Sequence, residues 1–219
     1  MKKLKITLAF LLASLLMMST GCLTTVIKSK KKAADKSKEQ KAGQKSADDD
    51  DADPDDADSD GKKKGEKDSV EMKKEFGTYT ISGEWVEVKS QSMAPDIFTY
   101  CLKGNEDSQT PPNNIVVRHD SNQYTKEQHV DFSAAILQQI KGQAASYGGE
   151  AHMEGYGEIN GCMVYQFVYE CDPYCVQWYF CGEKEYVMVG MTIFDEEATK
   201  KDNIWEVAQA LVDSFVWTE

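Results

Sequence analysis

"MVYQFVYECDPYCVQWYFCGEKEY", Met163 to Tyr186, decides how this chain folds. Two runs rich in aromatic and β-branched residues flank Asp172-Pro173-Tyr174, which reads as a β-hairpin with a three-residue turn. In the first run Met163, Tyr165, Phe167 and Tyr169 share one face, with Val164 and Val168 on the other. In the second, Val176, Trp178 and Phe180 share one face, and Tyr179 with Cys175 and Cys181 the other. Neither face is clearly polar, and a sheet apolar on both sides needs cover on both sides.

Outward from the hairpin, more strands appear. "AHMEGYGEI" leads into it across Asn160-Gly161, the strongest two-residue hairpin signal, and "YVMVGMTIF" follows after Gly182-Glu183-Lys184-Glu185. Upstream, "GTYTISGEWVEV", "DIFTYCL" and "NNIVVRH" read as strands, with a polar loop from Gly104 to Asn114. Thr125 and Gln128 form a capping box, and Phe132, Ala135, Ile136, Gln139 and Ile140 continue at helical spacing until Gly142 and "SYGGE". Near the end, Ile204, Val207, Ala208, Leu211, Val212 and Phe215 make one apolar stripe. These helices, over 125–142 and 200–215, supply the two covers. The expected fold class is α+β: an antiparallel meander sheet with helices on both faces, an α/β/α sandwich.

The N-terminus has a different purpose. Lys2, Lys3 and Lys5 precede an apolar run from Ile6 to Met18, then Ser19-Thr20-Gly21. That is the shape of an export signal, and its 13 apolar-run residues fall short of the roughly 20 a membrane span needs. "MMSTGC" resembles the lipobox of bacterial lipoproteins, with Ser19 standing where leucine is usual. The resemblance implies cleavage before Cys22 and lipidation of that cysteine, so that 1–21 is signal peptide.

Residues 22–75 follow as a tether. From Leu23 to Glu75 the chain holds 14 lysines and 15 acidic residues in blocks, with almost no apolar residue after Ile27. Such a stretch cannot offset its chain entropy by burial and is expected to be disordered. Its 53 residues give a coil reach of about 40 Å. "DADSDG", Asp56 to Gly61, begins like a calcium loop, but Lys67 stands where the closing carboxylate belongs. It reads as an acidic tract.

The globular part is expected over 76–219, where 22 acidic residues face 8 basic ones, Arg118 being the lone arginine. A domain at −14 repels nucleic acid and bare anionic membrane. "FGTYTISGEW", "NNIVV", "GYGEINGCMVYQF" and "LVDSFVW" in this order resemble the PsbP-like and DcrB-like lipoprotein families. The resemblance implies an α/β/α sandwich and a binding or accessory role at a membrane assembly. It brings no catalytic motif to carry over.

Five cysteines remain besides Cys22: Cys101, Cys162, Cys171, Cys175 and Cys181. An odd number leaves at least one thiol unpaired. A three-residue turn at 172–174 would set Cys171 opposite Cys175 and Tyr165 opposite Cys181. That permits a Cys171–Cys175 disulfide in an oxidising compartment. The register also puts Cys171, Cys175 and Cys181 on one face and Cys162 on the other. Buried idle thiols, a metal site and a redox pair are the alternatives. The last two fit less well, because zinc wants four ligands and redox pairs favour Cys-x-x-Cys at a helix start.

Other chemistry is sparse. No G-x-S-x-G elbow or phosphate loop occurs, and His119, His129 and His152 each stand alone in sequence. Tyr165, Phe167, Tyr169 and Tyr179 either line an apolar ligand cleft or form plain core. The sequence therefore points to a non-enzymatic, lipid-anchored protein on the extracytoplasmic side of the cell membrane. Its expected partners are the membrane, through lipid on Cys22, and an envelope protein, not nucleic acid. No metal, cofactor or catalytic residue is expected. The alternatives are an envelope thiol or metal protein using Cys171, Cys175 and Cys181, or a carrier of a small apolar ligand.

Overall fold

The computed structural model describes residues 68–91 and 94–218. The signal-like leader, Cys22 and the tether up to residue 67 lie outside the described residues. Within them the strands are β1 (Ser69–Lys74), β2 (Gly77–Ser82), β3 (Trp85–Glu87), β4 (Ile97–Leu102) and β5 (Asn114–Ser121), then a 3-10 turn (Lys126–Gln128) and helix α1 (His129–Ser146). There follow β6 (Glu150–Ile159), β7 (Cys162–Glu170), β8 (Tyr174–Cys181) and β9 (Glu185–Ile193), then α2 (Thr199–Asp202), α3 (Ile204–Ser214) and β10 (Val216–Trp217).

Seven strands form one antiparallel sheet in the order β3-β4-β5-β9-β8-β7-β6. A smaller sheet, β1-β2-β10, packs with α3 against one face of it. That face buries Val164, Val168, Val176, Trp178 and Phe180 with Ile204, Leu211, Val212 and Phe215. The opposite face buries Tyr165, Phe167, Tyr169 and Tyr179 under Phe132, Ile136, Ile140 and Ala144 of α1. The α+β sandwich expected from the two-faced strands is the observed fold. Each large apolar side chain so buried contributes about 1.5–3 kcal/mol relative to exposure.

Four details differ from the sequence reading. First, the ladder begins at Ser69, inside the stretch expected to be tether, because Val70 to Lys74 pair with β2. Second, residues 77–88 are two strands in two sheets, broken at Gly83, whose N–H donates to the Asp68 carbonyl at 2.7 Å. A Cβ there would sit 2.8 Å from that carbonyl oxygen, so glycine permits the close approach. Third, α1 runs through Gly142 to Ser146 and stops only before Gly148, at φ +73°. A glycine inside a helix costs about 1 kcal/mol, which packing of its neighbours outweighs.

The fourth correction concerns the opening hairpin. Tyr169 stands opposite Cys175 and Tyr165 opposite Tyr179. The connection is Cys171-Asp172-Pro173, with a cis Asp172–Pro173 bond, and Tyr174 already belongs to β8. The register is thus two residues away from the one expected. A two-residue shift preserves which side chains share a face, so the face assignments hold while the cross-strand partners change.

Candidate functional site

The α1 face of the sheet collects most of the residues singled out by sequence. Tyr165, Phe167, Tyr169 and Tyr179 are all buried there. Their rings pack on one another: Tyr165 stacks on Phe167 at 6.4 Å, and Phe167 meets Tyr179 edge-on at 5.7 Å. The hydroxyls of Tyr169 and Tyr179 turn to an amide in the middle of β8. Tyr169 Oη donates to Gln177 Oε1 at 3.1 Å and Tyr179 Oη to the same oxygen at 2.8 Å. Burial raises the pKa of both phenols above the ordinary tyrosine value. At the layer's outer end Tyr165 Oη and His129 Nδ1 share a 2.7 Å hydrogen bond. In this structure the four aromatic residues are packed core.

Three of the cysteines border the same layer. Cys175 and Cys181 share a face at opposite ends of β8, six residues apart, and Cys171 lies in the turn at the Cys175 end. None is bridged. Cys171 Sγ points to the Pro173 carbonyl at 3.4 Å, and Cys175 Sγ accepts from Thr192 Oγ1 at 3.8 Å and Gln177 Nε2 at 3.9 Å. Burial pushes the Cys175 and Cys181 thiols up to about 12 and Cys101 up to about 11; it also raises Cys171. Thiols held neutral at pH 7 are poor nucleophiles. Among the described residues no group of three or more His, Cys, Asp or Glu side chains is placed to hold a metal ion.

Cys162 faces the other way, as expected, and accepts from Trp217 Nε1 at 3.3 Å. The remaining singled-out residues serve local contacts. Arg118 pairs with Asp120. His119 stacks on Phe76 at 4.9 Å and meets Glu185 Oε2 at 2.9 Å. His152 meets Glu154 at 3.1 Å on the exposed strand β6. The three histidines are not brought together in these contacts.

Two residues escaped the sequence reading. Gln177 is the polar hub of the α1 face, and its signal is a lone amide inside "CVQWYFC". Tyr156, on β6 opposite Tyr165, is 71% exposed and stacks on that ring at 5.6 Å. An aromatic residue between Gly155 and Gly157 was the available signal.

No protein-family description and no curated protein matches the chain. Among solved structures, CyanoP, the cyanobacterial PsbP of Synechocystis sp. PCC 6803, is 10% identical with a TM-score of 0.47, over 71% of this chain and 96% of its own. LpqN of Mycobacterium tuberculosis, described as involved in cell envelope biogenesis, is 12% identical with a TM-score of 0.45, over 72% and 88% respectively. These are likenesses of outline, and they say nothing of a site or an activity.

Proposed function

We propose that this chain is a lipid-anchored extracytoplasmic lipoprotein whose folded domain is a non-enzymatic binding or accessory module for an envelope partner. The observation that carries the proposal is the order of three segments. A basic, apolar and then small-residue leader runs to Gly21-Cys22; a lysine- and aspartate-rich stretch follows, and after it an acidic folded domain. Among the described residues no helix is long and apolar enough to cross a membrane, and on this reading attachment is through acyl chains on Cys22. Each buried methylene contributes about 0.8 kcal/mol, so two or three chains hold firmly. A long tether then raises the domain's effective concentration near membrane-bound partners.

Metabolic labelling with a radioactive fatty acid tests the anchor. The wild-type chain should carry label and Cys22→Ala should carry none. Label on both chains, or on neither, contradicts it.

A further inference from the structure

Strand β6 ends the seven-stranded sheet, and among the described residues it pairs with β7 alone. It spans ten residues, against three for β3 at the opposite edge. An edge strand carries N–H and C=O groups with no ladder partner, and the Asn160-Gly161 turn fixes which they are. Both turn residues have positive φ, and Ile159 stands opposite Cys162. A two-residue turn of this kind closes on a hydrogen-bonded pair. Alternation then points Gly157 inward to β7 and leaves the N–H and C=O of Tyr156 and Glu158 facing outward.

The surroundings of that edge are acidic and open. Glu150, Glu154 and Glu158 are exposed, and β6 and β7 contain no lysine or arginine. A Cβ added at Gly155 or Gly157 would meet nothing within 4 Å, so the sheet surface beside these positions is uncrowded. Tyr156 is exposed, yet its ring rests on Tyr165, which is held in turn by His129. An aromatic ring already fixed by its backing loses little freedom on binding.

Glutamates, glycines and the bulge at Met153/Gly155 also guard an edge against self-pairing. Pairing two copies of β6 would gather the exposed glutamates of both strands along one seam with no lysine or arginine in either, which disfavours a second copy. A merely guarded edge has no need of a fixed, exposed tyrosine at its centre. A partner strand of opposite charge meets all of these features at once.

We propose that the outer edge of β6 docks an extended, lysine- or arginine-bearing segment of a partner protein by strand addition. Tyr156 packs against the aliphatic stems of its basic side chains, and Glu154 and Glu158 face their charges. This gives a partner class to the binding role proposed above and rests on that role, though not on the lipid at Cys22.

The test is hydrogen exchange on the full chain purified in detergent. The probes are a twelve-residue peptide alternating lysine with threonine and valine, and the same peptide with glutamate for lysine. The lysine peptide should slow the amides of Tyr156 and Glu158 about tenfold or more, leave β3 unchanged, and the glutamate peptide should do nothing. Glu158→Pro removes an outward N–H and spares the bonds to β7, so it should abolish the slowing at Tyr156. Glu154→Gln with Glu158→Gln, which asks nothing new of the backbone, should weaken binding about tenfold.

Equal slowing by both peptides, or slowing at β3 or nowhere, overturns the proposal. So does a β6 already slowed without peptide, by the chain's own lysine-rich stretch or by a second copy seen in sedimentation. A labelled Cys22 with an inert β6 sinks this proposal alone, and a responsive β6 with unlabelled Cys22 sinks the anchor alone.

Discussion

On the α3 face the large sheet meets Ile204, Val207, Leu211, Val212 and Phe215, helix-side residues without a polar side-chain atom. On the α1 face it meets Tyr165, Tyr169 and Tyr179, whose hydroxyls are tied to His129 and Gln177. Where α3 packs, the first face is held by volume; its buried hydrogen bonds, Tyr79 Oη with Tyr100 Oη at 2.7 Å and Trp85 Nε1 to the Asp202 carbonyl at 3.1 Å, come from β2, β3 and β4 instead. The second is held by volume and by hydrogen bonds that must all be present, since an orphaned buried hydroxyl costs its desolvation. Breaking each face should therefore look different.

The largest effect is expected at Phe215, which is 1% exposed and packs on Phe180 at 4.6 Å. Phe215→Ala should destabilise the fold by about 3–5 kcal/mol, read as a lower urea midpoint. A loss below about 1 kcal/mol would mean that this face relaxes around the cavity.

Gln177→Leu comes next. It leaves the Tyr179 hydroxyl without its acceptor and Tyr169 with Gln143 Oε1 at 3.3 Å, for about 1–3 kcal/mol. Adding Tyr169→Phe and Tyr179→Phe to that variant should recover most of the loss. Failure to recover would show that the amide acts by shape and would erase the contrast between the faces.

A smaller loss is expected at the start of α1. There Thr125 and Gln128 form a capping box, and the Thr125 N–H donates to Gln128 Oε1 at 3.0 Å. Thr125→Ala should cost about 1 kcal/mol and loosen the α1 face only, as judged by exchange at β6 and β7. Equal loosening under α3 would argue that the faces are not independent.

At neutral pH the thiols should change nothing. Because Cys175 and Cys181 have folded-state values raised by burial to about 12, an unfolded chain gives up those protons first. Their contribution is complete below the unfolded thiol value, about 8.5, and is lost as pH rises toward 12. A denaturation series should show stability falling across that window, and less so in a Cys175→Ser, Cys181→Ser variant. A flat profile would contradict the burial of these groups.

How legible was this in the sequence? The α3 stripe and the Asn160-Gly161 turn were plain, because periodicity and φ > 0 chemistry are local. So were the two faces of β7 and β8. The partner register was not: Cys-Asp-Pro-Tyr-Cys suggests a symmetric turn with cysteines opposed, while the chain turns at Cys171-Asp172-Pro173. The small sheet was hidden for another reason. β1, "SVEMKK", is charged and exposed along one side, so composition places it with the tether, and only its pairing with β2 reveals it as a strand. Tyr156 and Gln177 required knowing which neighbours lie across the ladder.

The most direct test of the account is the mass of the N-terminal peptide of the mature protein taken from membranes. That peptide is expected to begin at Cys22 and to carry the mass of two or three acyl chains. A chain that begins elsewhere, or a Cys22 with a free thiol, would contradict it.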